Sequence, residues 1–322
     1  MKSTRMFLLQ LALLLLLLPT ALRPLWEGAQ PEIPVAAASS AEAPCTVSVR
    51  QGDFTAEMNL EEYVAGVVLA EMPTEYAMEA LKAQAVVART FAWKAATTGG
   101  KHGDGSICTD PACCQGYIAP GEFLQGYGNP QDLEKARSAV QDTAQMVLTY
   151  QGKLIEATYF SCASGYTEDA AAVWGSSYPY LTAQESPEAA KEDCVAFSSA
   201  CLQDILGVQL GEDTETWFTR WEFTRGMGVA SVQIGDKEFS GLQLRRKLGL
   251  RSTAFTVSLQ NDVIFFHTKG YGHRVGMSQQ GADTMAELGS SFGEILAYYY
   301  PGTALETISE TDKNYEKSTK LN

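Results

Sequence analysis

NLEEYVAGVVLAEMPTEYAMEALKAQAVVARTFAWKAA, residues 59–96, decides how this chain is read. Asn59 followed three residues later by Glu62 marks a helix start of capping-box type, and an apolar run then leads to Glu71 before Pro73 stops it. A second helix is predicted over roughly Glu75 to Ala96, where Ala83, Val86, Val87 and Phe91 recur at helical spacing. Just upstream the signal changes: Thr46, Ser48 and Arg50 alternate with Val47 and Val49, which predicts a strand.

Outward from that stretch the mixture continues. A helix is predicted from about Pro130 to Gln145, then a hairpin of Val147 to Tyr150 and Leu154 to Tyr159 around Gln151-Gly152. Later come a helix from about Leu242 to Leu248, strands over Ala254 to Leu259 and Val263 to Thr268, and helices near Ser278 and Ser291, the last opened by Ser291 and Glu294 as a second capping box. Nothing repeats at a fixed period. The pattern is α+β, mixed helices and antiparallel strands, in one region from 45 to 307 with a possible inserted subdomain over 184–250.

The flanks predict a compartment. Residues 1–5 carry Lys2 and Arg5 and read as a cytoplasmic N-terminus; 6–23 form a mostly Leu run of about 17 apolar residues, between the core of a signal peptide and a full span of roughly 20. No small-x-small cleavage site follows directly, which favours an uncleaved anchor; cleavage would instead release a secreted protein. Positive charge before the run places the bulk of the chain outside the cytoplasm. Residues 24–44, rich in Ala, Pro and Ser, read as a flexible tether, and 308–322 as a loose charged tail. The 322 residues are 45% hydrophobic, enough for a large core, and the net charge of −14 opposes any nucleic-acid partner.

Four constellations bear chemistry. Glu71 ends an apolar helix, where desolvation raises a carboxyl pKa toward what a general acid needs; Lys82, Gln84 and Arg89 follow on the second helix. Taken alone, each of these long polar side chains reads more simply as solvated surface. Gly270-Tyr271-Gly272-His273-Arg274-Val275-Gly276-Met277-Ser278-Gln279-Gln280-Gly281-Ala282 is a glycine-rich turn entering a helix, unlike a Walker loop, and offers His273, Gln279 and free amides to a sugar or acetamido group. Tyr159, Ser161 and Ser164 stand where a strand ends in a polar turn. His102, Cys108 and Cys114, spaced H-x5-C-x5-C, suit Zn²⁺; in an exported protein, Cys108, Cys113 and Cys114 also suit disulfides, with Cys194 and Cys201 the better disulfide pair.

These motifs together resemble the stage II sporulation protein D family of peptidoglycan lytic transglycosylases. The resemblance rests on Tyr63 to Val68 through Glu71-Met72-Pro73, the Glu79 to Ala85 helix, Tyr159-Phe160-Ser161, Val173-Trp174-Gly175 and the GYGHRVGMSQQGA segment, in one order over most of the chain. It implies a substrate cleft with Glu71 as the catalytic glutamate, Lys82 and Arg89 at cleft positions, Tyr159 bordering the substrate, and a structural zinc on His102, Cys108 and Cys114. It also implies peptide-stripped glycan strands as substrate, the MurNAc-GlcNAc bond as target, septal wall degradation during engulfment as setting, and as partners the amidase stage II sporulation protein P and a membrane protein of the engulfment complex. Ala163 and Arg274 depart from the family pattern, which usually has a hydroxyl residue and a glycine there. A zinc amidase or deaminase fits less well, because neither H-x-E nor C-x2-C accompanies His102 and Cys108. A wall-binding scaffold without turnover is the non-enzymatic alternative.

Overall fold

The computed structural model describes residues 45–308, apart from Asp53 and Tyr127. The expected anchor and tether, and the tail from 309 on, lie outside the described residues; Ile308 is buried. Among the described residues no helix is long and apolar enough to cross a membrane.

The chain opens with the hairpin β1 (Thr46–Gln51) and β2 (Phe54–Asn59), and Asn59 caps α1 (Leu60–Glu71), its side-chain oxygen accepting from the amides of Glu61 at 2.9 Å and Glu62 at 3.2 Å. Residues 63–69 of α1 are all buried, so this helix is enclosed on every side rather than amphipathic. Met72 turns extended ahead of Pro73, as the residue before a proline must. Helix α2 (Met78–Thr98) packs against α1 and ends on Gly99, whose φ of 90° suits glycine. There follow β3 (Ile107–Cys108), α3 (Pro120–Gln125), α4 (Pro130–Asp142), β4 (Met146–Tyr150) and β5 (Lys153–Leu154). These elements enclose the larger core around Val64, Val67, Val68, Leu81, Val86 and Val87.

One expected element breaks up. Only β5 continues the hairpin, and Tyr159 and Phe160 form a separate strand, β6 (Tyr159–Phe160), that pairs in parallel with residues 277–278. The competing partner wins because Thr158 also receives the Met277 amide at 3.1 Å and hydrogen-bonds Val275 through its hydroxyl. That pairing sets the glycine-rich segment beside the Tyr159 strand. After α5 (Ala170–Trp174), a second core is built from β7 (Glu192–Ser198), α6 (Ser199–Leu206), β8 (Phe218–Phe223), β9 (Val229–Ile234), β10 (Lys237–Ser240), α7 (Gly241–Leu248), β11 (Phe255–Gln260) and β12 (Val263–Lys269). Its sheets run β10-β9-β8 and β11-β12-β7, and Leu202, Val232, Leu244, Phe255 and Phe266 fill it. The chain then re-enters the first core through β13 (Met277–Ser278), α8 (Gln279–Glu287), α9 (Phe292–Tyr299) and β14 (Ala304–Thr307). The architecture is α+β; the strands are antiparallel except for the β1–β3 and β6–β13 pairs.

Arg274 joins the two cores. Fully buried, with φ of 61°, it donates to Glu168 Oε1 at 2.7 Å and to the carbonyls of Tyr166 and Gly226, each at 3.0 Å. The same Glu168 oxygen accepts from the Thr224 hydroxyl and the Gly228 amide, in the turn between β8 and β9. The departure from glycine at 274 therefore has a structural role. It costs about 1 kcal/mol of left-handed backbone and supplies the partner of a buried carboxylate.

The cysteine expectation changes as well. Cys194 and Cys201 are exposed free thiols. Cys194 lies on β7 and Cys201 in the first turn of α6, where its amide donates to Ser198 Oγ at 3.2 Å.

Candidate active site

Between the cores lies a cleft of about 970 Å³, walled by Glu71, Cys114, Gln115, Tyr159, Ser161, Trp174, Arg245, Tyr271, His273 and Gln279 among others. Glu71, the last residue of α1, reaches it because the helix ends there and the chain turns away at Pro73. Burial raises the Glu71 carboxyl above its ordinary value, against the opposing hydrogen bonds of the Gly116 amide and the Tyr159 hydroxyl.

The groups around Glu71 form a chain. Tyr63 donates to Gln115 Oε1 at 3.3 Å, Gln115 Nε2 donates to the Tyr159 oxygen at 3.3 Å, and that leaves the Tyr159 proton for Glu71. Gly116 donates its amide to Glu71 Oε1 at 2.5 Å, and Gln279 Nε2 holds the Glu71 carbonyl at 3.0 Å. Gly66 lets this happen. Its Cβ would stand 2.3 Å from the Tyr117 ring, which stacks on Tyr63, so only glycine allows the loop after Cys114 to lie across α1. Glu156, the other carboxylate on the cleft wall, is engaged by Lys94 at 2.5 Å.

His273 also lines the cleft, between Phe160 and Trp174, at ring separations of 5.8 and 5.3 Å. Burial pushes its imidazole down to about 4, with the charges of Arg245 and Lys101 adding to the effect, so it is neutral near pH 7. Its Nδ1 accepts from the Val275 amide at 3.1 Å, which leaves the ring proton on Nε2. Trp174 and Tyr271 are each a little over two-fifths exposed on the cleft, and the Arg251 guanidinium lies over the Tyr271 ring, 4.8 Å from its centroid.

The loop from Gly99 to Gln115 gathers His102, Cys108, Cys113 and Cys114, whose ligand atoms all lie within 4.8 Å of one another. His102 Nε2 is 3.5 Å from Cys114 Sγ and 3.9 Å from Cys113 Sγ, and the two sulfurs are 3.9 Å apart. A tetrahedron with ordinary zinc bond lengths has edges of about 3.5–3.8 Å. One imidazole and three thiols at these separations fit such an ion. Burial works to raise the Cys108 thiol, but hydrogen bonds from the Asp110 amide, His102 and the neighbouring thiols bring it down to about 7.

The structure thus brings Glu71, Tyr159, Ser161, His273 and Gln279 to one cleft, with Cys114 on its wall and His102 and Cys108 behind it. It places four other expected residues elsewhere. Lys82 pairs with Glu79 at 2.9 Å and Asp142 at 3.1 Å. Arg89 is wholly buried, bidentate to Glu61 and donating to the carbonyls of Met146 and Val140. Gln84 lies inside the helix pack with neither amide atom partnered among the described residues. Ser164, at φ 54°, exchanges hydrogen bonds with the Lys191 backbone. Missed from sequence were Gln115, Gly116 and Arg245, and Cys113 was set aside; only Cys113 carried a signal, its adjacency to Cys114.

The family model described as "SpoIID: Stage II sporulation protein" matches residues 50–150. The chain is 42% identical to "Stage II sporulation protein D" of Bacillus amyloliquefaciens over 86% of this chain and 82% of the relative, and 40% identical to the protein of that name from Bacillus subtilis (strain 168) over 79% and 75%. It is 30% identical to the "Amidase enhancer" of Bacillus subtilis (strain 168), over 74% of this chain and 40% of that longer protein. The chain belongs to the stage II sporulation protein D family.

Proposed function

We propose that this protein is a lytic transglycosylase that cuts the MurNAc-GlcNAc bonds of peptidoglycan glycan strands during sporulation. The observation that carries the reading is Glu71: one carboxyl, held above its ordinary value by burial, on the wall of a cleft whose other carboxylate is engaged by Lys94. A hydrolase of the two-carboxylate type needs a second free carboxylate to activate water or attack the sugar. MurNAc supplies its own nucleophile, the C6 hydroxyl. Protonated Glu71 gives its proton to the glycosidic oxygen; the carboxylate then takes the C6 hydroxyl proton as that oxygen closes on C1, leaving a 1,6-anhydro end. The Tyr159 hydroxyl and the Gly116 amide stabilise the carboxylate formed midway. Trp174 gives a sugar ring a face to lie against.

His102, Cys108 and Cys114, with Cys113 as fourth ligand, would hold zinc in a structural role. Its seat adjoins Gln115 and Gly116, so the ion would fix both the amide that grips the acid and the side chain that orients Tyr159 toward it. The relatives' names support a place in sporulation and a wall amidase as partner, and stage II sporulation protein P and a membrane protein of the engulfment complex are the expected associates. The N-terminal apolar run supports a single-pass anchor with this region outside the cytoplasm. Incubating purified protein with peptide-free glycan strands tests the activity: mass analysis should show anhydro ends from the native protein and none from Glu71→Gln, which keeps the shape but cannot exchange a proton. New reducing ends without the anhydro bridge would refute it.

A further inference from the structure

The cleft wall carries a guanidinium that no carboxylate answers. Arg245 lies in the last turn of α7, whose Leu244 and Leu248 are buried in the second core, and it lines the cleft with Tyr271, Gly272 and His273. Arg89, Arg251 and Arg274 are committed to Glu61, Asp193 and Glu168. Arg245 forms neither an ion pair nor a side-chain hydrogen bond among the described residues, although it is half-buried. Lys101, the other cation on this wall, spends its ammonium on the Cys113 carbonyl.

A half-buried, unpaired guanidinium is costly to hold, and the cost is recovered only when an anion arrives. In a chain of net charge −14, an open cation inside the cleft is also a local exception. Its chemistry is specific: the planar fork of arginine binds a carboxylate through two parallel hydrogen bonds, which an ammonium cannot do. A GlcNAc-MurNAc strand has one place for such a partner. The lactyl ether of MurNAc ends in a carboxyl that is tied up as a neutral amide while the stem peptide is attached, and becomes a free carboxylate once an amidase has removed the peptide.

We propose that Arg245 binds the lactyl carboxylate of peptide-free MurNAc, and so selects strands that an amidase has already processed. The inference rests on the glycan reading of the cleft. It assigns the second core a part in recognition, in the cleft whose acid the first core supplies.

The test compares two probes, peptide-free glycan strands and the same strands with their lactyl carboxylates converted to neutral methylamides. Binding is measured in the Glu71→Gln background, where nothing is cut, and cleavage with Glu71 present. With Arg245 intact, neutralising the carboxylates should weaken binding about tenfold or more, as expected for a charge-assisted hydrogen-bonded pair. Arg245→Gln should bind both strands alike at the weaker level, and Arg245→Lys should recover part of the difference, a gradation that a general folding defect would not produce. The proposal is overturned if Arg245→Gln still discriminates, or if the protein with Arg245 does not. Anhydro ends without discrimination would remove Arg245's role and leave the transglycosylase; discrimination without cleavage would do the reverse. No binding to either strand would remove both.

Discussion

The Gly116 amide donates to Glu71 Oε1 at 2.5 Å, and a Cβ built on Gly116 would stand 2.8 Å from that same oxygen. The acid is therefore held by a residue only two positions past Cys114. Gly116→Ala should push the carboxylate aside and lower kcat by about tenfold to a hundredfold, the range in which small misplacements of a reacting group fall. Because the displaced atom ends a flexible side chain, the melting temperature should scarcely move. A large drop in Tm with kcat intact would show that Gly116 serves the fold instead.

The pH dependence has a definite sign. Glu71 is raised in the folded protein by burial, so below its ordinary value it is protonated in both states and costs nothing. As pH rises past that value, the unfolded chain loses its proton first, and stability falls until the folded carboxyl has ionised too. Glu71→Gln escapes this loss: its Tm should match the native protein near pH 4 and exceed it at neutral pH. Cleavage, which needs the protonated acid, should fall with rising pH at an inflection above that of ordinary glutamates.

Metal removal offers a third check. With zinc on the His102 cluster, elemental analysis should find one ion per chain, reduced by Cys108→Ser and by Cys113→Ser. Stripping the ion should lower Tm by roughly 5–10 °C, since a ligand bound only to the folded state adds its binding energy to stability. Cleavage should fall with it as Gln115 and Gly116 lose their seat. Metal-free protein with an unchanged melting curve would contradict the assignment of Cys113 and its neighbours.

Arg89 should behave as a structural residue. Arg89→Met removes the guanidinium from Glu61 and from the two carbonyls, and taking away one partner of a buried pair costs about 3–5 kcal/mol. Urea unfolding should show that loss, while kcat of the folded fraction stays near native. A collapse of kcat at unchanged stability would return Arg89 to the cleft.

Where local signals were complete, sequence and structure agree. Asn59 and Ser291 cap the helices they were expected to cap, and Glu71 ends an enclosed helix at a cleft because the apolar run before it and Pro73 after it leave no other course. Where partners are distant, the sequence was silent. Tyr159 pairs with Met277 across more than a hundred residues, which no hairpin signal near Gln151 reveals. Arg89 reads as surface until Glu61, Val140 and Met146 converge on it. Strands β8 to β10 were missed for a related reason: β8 carries bulges against β9 and half-exposed aromatics, so its period-2 alternation is broken.

The most direct test of the account is cleavage of peptide-free glycan in water enriched with heavy oxygen. If the sugar's own C6 hydroxyl closes on C1 under Glu71, the new ends are one water lighter than hydrolysed ends and carry no solvent oxygen. Heavy oxygen at the cleaved anomeric carbon would show that water attacked, and the single-acid account of this cleft would fail.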